Sequence, residues 1–284
     1  MIITNPVALV NHSGNRLNIK FKEYNTYKVM HGFYNNGNTC YFNSALQCVL
    51  RIHDLSSHIL RNNYERECTF TKLYRELVYV YFNKENFLKI NIEPLLHAFQ
   101  EKFPRFKSLY PHDSQDALFC IIDILEQTYP FTKTLVYGKK TQTTICPSGT
   151  TTLEEPFSVL LLNGDKPKVS EMMSTSEKWN VLDNYVDNNG VVHNASTTRD
   201  VISEYPKVLF ISFDKKVDVV ADEINNYELC GSILHHGNQF GGHYNSMIKL
   251  SNDWFMQDDE IVSKIDFKEK APHHVLMYNL KSHP

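Results

Sequence analysis

Gly32-Phe-Tyr-Asn-Asn-Gly-Asn-Thr-Cys40-Tyr-Phe-Asn-Ser-Ala-Leu-Gln47 joins two kinds of local chemistry. Its first half is loaded with Gly and Asn, residues that build turns. Its second half opens a run with Phe42, Ala45, Leu46, Val49 and Leu50 at helical spacing. Cys40 falls where loop becomes helix, at the N-cap or in the first turn, with Thr39 as the expected cap. Unsatisfied N–H groups and the positive end of the helix dipole favour an anion there. The expectation is a thiol of lowered pKa and a competent nucleophile. The same loop offers the Cys40 main-chain N–H and a side-chain amide, from Asn35 or Asn38, as an oxyanion hole. The alternative is a packed structural thiol, the commoner state of a free cysteine.

A thiol nucleophile needs a base and a group that orients it. Leu229-Cys-Gly-Ser-Ile-Leu-His-His-Gly-Asn-Gln-Phe-Gly-Gly-His243-Tyr places a histidine after a Gly–Gly hinge, at the opening of an alternating segment. Asp258 follows in Trp254-Phe-Met-Gln-Asp-Asp-Glu-Ile-Val. That spacing suits a hairpin with His243 near the start of one strand and Asp258 near the end of the next. The carboxylate would hold the imidazole tautomer and stabilise the imidazolium. The neighbouring His235 and His236 do not chelate one ion from one face, because adjacent strand residues point opposite ways.

Outward from these two segments the chain divides. Apolar stripes at helical spacing fill residues 38–130, among them Phe70, Leu73, Tyr74, Leu77 and Tyr81. Asp113 is the expected N-cap of the last of them. After residue 131, short apolar runs indicate strands at 134–137, 157–162, 208–213, 233–234, 244–250 and 275–280. Residues 163–205 are the least regular. Helices followed by strands predict an α+β fold with the site near the junction of the two halves.

Composition narrows the function classes. With 284 residues, 42% hydrophobic and 21% charged, the chain is neither disordered nor a coiled coil. Its balance of 29 Lys+Arg against 32 Asp+Glu argues against a nucleic-acid partner. No stretch nears the roughly 18 apolar residues that span a bilayer, so no membrane partner is expected. The start lacks signal-peptide features, and the six cysteines form no CxxC pair. Free thiols in an intracellular compartment, cytoplasmic or nuclear, and a monomeric state are the expectations.

Taken together, NxGNTCYFNSxLQ, then GGHY, then WxxxDD, in the order Cys, His, Asp, resemble the ubiquitin-specific proteases. These are papain-like deubiquitinating cysteine proteases, and this chain resembles a compact, divergent member. Ser114-Gln-Asp-Ala117, the strand around 205–213 and Val275-Leu-Met-Tyr278 extend the likeness over about 32–280. The resemblance implies an N-terminal arm (1–31), a single catalytic domain (32–280) and a tail (281–284). The domain would comprise a helical thumb (32–130), reduced β fingers with part of the palm (131–205) and a β palm (206–280). By position, Cys40 matches the nucleophile, His243 the base, Asp258 the third triad member and Asn35 the oxyanion-hole amide. Asp116, His235, Gly237, Gly242 and the second acid, Asp259, match substrate-binding or site-assisting positions. The implied activity is hydrolysis of the isopeptide or peptide bond after the C-terminal glycine of ubiquitin. The implied partners are ubiquitin, or a ubiquitin-like modifier, and its conjugates.

Three departures qualify the match. Many members carry two CxxC pairs for a structural zinc; here Cys146-Pro-Ser-Gly149 stands at the first and no cysteine at the second. A closed zinc site needs four ligands, so no metal and no cofactor is expected, and strand pairing and packing alone should hold that region. Phe119 stands where the family has a Glu that faces an arginine of the ubiquitin tail. The missing charge-assisted bond is worth about 1.5–3 kcal/mol. It motivates an alternative, a protease for another modifier such as SUMO; a non-catalytic ubiquitin-binding scaffold is a further one. Ser114 replaces the first Gln of its segment.

Overall fold

The computed structural model describes residues 30–62, 64–84, 87–108, 110–214, 218–224, 226–238 and 241–281. The arm expected over 1–31 lies outside them except for Met30 and His31, as does most of the expected 281–284 tail.

In chain order, the first stretch holds β1 (Gly32–Phe33), α1 (Cys40–Leu50), α2 (His53–Arg61), α3 (Thr69–Asn83), β2 (Lys89–Ile90), α4 (Glu93–Lys102), α5 (Ser114–Thr128) and α6 (Phe131–Val136). The middle stretch holds β3 (Gly138–Cys146), β4 (Gly149–Phe157), β5 (Val159–Leu162), α7 (Val169–Ser176), β6 (Asn180–Leu182), β7 (Tyr185–Val186), β8 (Val192–His193), β9 (Ser196–Glu204), β10 (Val208–Phe213) and β11 (Val219–Val220). The last holds β12 (Tyr227–Asn238), β13 (Gly241–Leu250), β14 (Asp253–Asp258), β15 (Ile261–Ile265), β16 (Lys270–Ala271) and β17 (His273–Leu280). These form two compact units, Met1–Thr132 with Gly231–Phe267, and Lys133–Cys230 with Lys268–Pro284.

In the first unit, every residue of α1 is buried, polar ones included. Its apolar stripe meets an aromatic layer in which Phe42 lies 4.9 Å from Phe99 and Tyr41 stacks 5.7 Å from Phe106. Burying a polar side chain is tolerable only with partners. Gln47 Nε2 accordingly donates to the His31 carbonyl at 2.8 Å. Asp113 caps α5 as expected, accepting from the Gln115 N–H at 2.7 Å. The hairpin expected from the His243–Asp258 spacing is β13–β14, with Ser246 opposite Gln257 and Leu250 opposite Asp253. Its turn includes Ser251 at φ 57°, the left-handed region.

In the second unit, β10 is buried throughout, flanked by parallel β5 and antiparallel β17. A separate sheet runs β4-β3-β9-β6. Its long strands fall largely where the sequence shows no alternation, because Thr, Lys and Glu occupy both faces (β4 reads GTTTLEEPF). The strand expected at 134–137 is instead largely α6. The Tyr137 N–H reaches the Lys133 carbonyl at 3.1 Å, a helical turn that overrides the strand preference of Thr134 and Val136.

The region expected to rely on pairing and packing alone has a polar tie as well. Ser148, in the β3–β4 turn, donates to Asp187 at 2.7 Å and lies 3.2 Å from His193 Nε2 and 3.1 Å from Cys146 Sγ. Asp187 Oδ1 also accepts the N–H groups of Asn189 and Val191, pinning the β7–β8 turn. The His193 contact, then Ser148 and the Val191 N–H, hold the Asp187 carboxyl well below the usual range. With one thiol, and a hydroxyl at its centre, this cluster does not fit a closed tetrahedral zinc site.

Candidate active site

The loop before Cys40 is laid against the turn after β14. The Phe33 N–H donates to the Asp259 carbonyl at 2.8 Å. Gly32 permits this approach, since a Cβ there would sit 2.4 Å from the Glu260 carbonyl oxygen. Asn35 then organises the loop. Its Oδ1 accepts from the N–H of Gly37 (3.0 Å) and of Thr39 (3.2 Å) and from the Thr39 hydroxyl (3.1 Å). Thr39 occupies the N-cap of α1 but makes no side-chain cap, contrary to expectation. Its hydroxyl turns back into the loop, where it also accepts the Asn36 N–H at 3.2 Å.

Asp259 stands in the left-handed region, at φ 50°. Both its oxygens are committed, Oδ2 to Asn35 Nδ2 and Oδ1 to Asn43 Nδ2, each at 2.7 Å. Burial pushes its carboxyl up, and the two amides and His243 oppose that shift. One residue earlier, Asp258 Oδ1 lies 2.5 Å from His243 Nε2. A carboxylate only accepts, so Nε2 carries the hydrogen and Nδ1 is left as the basic nitrogen.

Cys40 begins α1 and is buried. Its sulfur lies within reach of the Tyr244 main-chain N–H, the residue next to His243. The expected lowering of its pKa does not hold. Burial pushes the thiol up, the Asp259 charge adds to that, and the N–H groups of Tyr244, Tyr41 and Cys40 counter it without prevailing. Local helix geometry favours the anion, but removal from water outweighs it.

Cys40, Asn35, His243, Asp258 and Asp259 all fall in the first unit, and their contacts link them. His243, Asp258 and Asp259 place one donor atom each within 4.8 Å of one another, a spacing a cation could use. Each Asp259 oxygen already accepts one amide hydrogen. Beside them, the buried His235 ring lies 4.4 Å from that of Tyr244. Gly242 lies opposite Gly237 across β12–β13, and a Cβ on Gly242 would meet His235 Nε2 at 2.6 Å. Asp116 is exposed in the first turn of α5, and Phe119 is half-buried farther along it. Sequence reading missed Asn43 and Tyr244. The signal for Asn43 was a polar residue three positions after Cys40, beside the apolar stripe of Phe42, Ala45, Leu46, Val49 and Leu50.

The family model described as ubiquitin carboxyl-terminal hydrolase matches residues 31–219 and 214–278. Probable ubiquitin carboxyl-terminal hydrolase 1 of Schizosaccharomyces pombe is 46% identical over 39 residues, 14% of this chain and 5% of that protein. Ubiquitin carboxyl-terminal hydrolase 1 of Arabidopsis thaliana is 29% identical over 94 residues, 32% of this chain and 9% of that protein. The matched stretches thus span less than a tenth of either relative. Among solved structures, the SAGA DUB module Ubp8/Sgf11/Sus1/Sgf73 bound to monoubiquitin superposes with a TM-score of 0.72 at 20% identity, covering 88% of this chain and 69% of that one. The same module bound to ubiquitin aldehyde gives 0.74 at 20% identity, covering 92% and 71%. The fold is α+β, of the ubiquitin-specific protease type, and the chain belongs to the ubiquitin carboxyl-terminal hydrolase family.

Proposed function

We propose that this chain is a thiol-dependent deubiquitinase that hydrolyses the bond after the C-terminal glycine of ubiquitin. The observation that carries the reading is the His243–Asp258 contact at 2.5 Å, with the main-chain N–H of the very next residue, Tyr244, acting on the Cys40 thiol. Cys40 is the nucleophile and His243 Nδ1 takes its proton. Asp258 fixes the tautomer and balances the imidazolium. The tetrahedral oxyanion is met by the Cys40 N–H and by the second hydrogen of Asn35 Nδ2, whose first is held by Asp259. His243 then protonates the leaving amine, and water, deprotonated by the same imidazole, releases the thioester. Asp116, His235 and Gly242 contact the modifier's tail.

The names of the family and of the relatives support ubiquitin as partner. The monomeric state expected from the sequence has no such support, since the solved neighbours are parts of a multi-subunit module. The half-buried Phe119 favours a second reading, the same chemistry on another ubiquitin-like modifier.

A panel of propargylamide probes built on ubiquitin, SUMO and other modifiers tests both. The expected result is a ubiquitin adduct at Cys40, abolished by Cys40→Ala. Labelling by another modifier and not by ubiquitin replaces the first reading with the second. Ubiquitin binding without any adduct makes the chain a scaffold.

A further inference from the structure

Arg51, just past the end of α1, is 2% exposed. Among the described residues its guanidinium makes one hydrogen bond, from Nη2 to Tyr81 Oη at 3.1 Å, while Nε and Nη1 have no partner. The cation lies over the rings of Tyr81 and Phe82, 5.3 and 5.9 Å from their centroids. A buried charge answered only by a phenol and two ring faces makes that phenol matter.

Tyr81 Oη is also saturated. It accepts from Arg51 and from Gln257 Nε2 (3.1 Å), and it donates to Gln47 Oε1 (2.7 Å). One hydrogen and two lone pairs allow no more. The nearby cation polarises the hydroxyl and strengthens its bond to Gln47. The three partners come from α1, from the residue that caps its C-terminus, and from β14, the strand that ends at Asp258. Gln47 lies two turns beyond Cys40 on α1, and Gln257 immediately precedes Asp258 on β14. Gln257 is 2% exposed, and its side chain leaves the strand on the face opposite Asp258.

We infer that Tyr81 is a positioning residue: its hydroxyl holds the strand that ends at Asp258, and with it the turn at Asp259, in place against the helix bearing Cys40. The inference rests on the thiol-hydrolase reading above, but none of these four residues touches the reacting atoms.

The test compares Tyr81→Phe and Gln257→Leu with Leu96→Ala, a core truncation on α4. Melting temperature, the rate of Cys40 alkylation by iodoacetamide (followed by mass spectrometry) and kcat and KM on a fluorogenic ubiquitin amide are measured for each. Both network variants are expected to lose about tenfold in kcat and in alkylation rate, with KM within about twofold. Leu96→Ala should lose stability alone. A folded Gln257→Leu protein with wild-type rates overturns the inference, even if Tyr81→Phe fails to fold. So does a loss confined to KM, or one matched by Leu96→Ala. If wild type shows alkylation that depends on His243 yet ignores ubiquitin, the modifier assignment fails, and the alkylation rates still decide the role of Tyr81.

Discussion

Asp259 is the residue on which the geometry of the site turns. It touches no group that exchanges a proton in the proposed reaction, yet it fixes Asn35 with one oxygen and Asn43 of α1 with the other. Asp259→Asn keeps the shape but turns one of those acceptors into a donor facing an amide hydrogen. The expected outcome is a kcat lower by about 10- to 100-fold with KM nearly unchanged, because the oxyanion donor is displaced and the modifier's surface is not. Steady-state kinetics on the fluorogenic amide check this. A matching rise in KM would point to lost binding instead. At this scale the pairing of His243 with Asp258 was legible from the spacing of their segments, and Cys40 stood out because its residue type has a specific chemical use and a distinctive neighbourhood in sequence. The direction of the Cys40 shift was not legible. It depends on removal from water in the folded chain, which the sequence around Cys40 does not report.

Elements explain how so short a strand as β1 can matter. Gly32 is fixed by the closeness of two main chains rather than by a turn, with Glu260 and Asp259 carbonyl oxygens 2.4 and 2.9 Å from where a Cβ would be. Backbone cannot rotate away as a side chain can. Gly32→Ala should therefore displace the β14–β15 turn, costing about 1–3 kcal/mol and lowering kcat, as urea unfolding and kinetics would show. Gly37→Ala serves as the contrast. It meets no atom within 4 Å, although its φ of 90° strains any side chain there, so its loss reflects backbone strain and not crowding of the turn. The helices were readable because α3, α4 and α5 each bury an apolar stripe, and α1 carries one although it is buried all round. The strands β3, β4 and β9 escaped notice because their side chains are polar or half-exposed on both faces, leaving no period of two to find. The α6 turn was misread as strand from two β-branched residues, where local backbone bonding decided otherwise.

At the scale of the molecule, stability should follow the buried histidines and thiols. Burial holds His31 in the first unit and His273 in the second down to about 4. Both are neutral when folded, whereas an unfolded chain protonates them below about 6.5. Stability is thus full above pH 6.5 and falls as pH drops toward 4, by at most about 1.4 kcal/mol per pH unit for each group. At the other limb, burial pushes Cys48 up to about 12, so an unfolded chain ionises it above 9.0 while the folded one does not, and stability declines there too. Melting curves from pH 4 to 10 should show a plateau between these limits, and His31→Gln should soften the acid side. A flat profile below pH 6.5 would contradict the burial argument. The α+β class was evident from the order of helical and strand patterns. The division into units was not, because the chain leaves the first unit after Thr132 and re-enters it at Gly231. That excursion has a consequence during synthesis. His243 is translated 203 residues after Cys40, which at about 5–20 residues per second takes roughly 10–40 s. For that interval the nascent polypeptide carries the Cys40 sulfur without the imidazole proposed to take its proton, so the two can meet only after the whole excursion through the second unit has been synthesised.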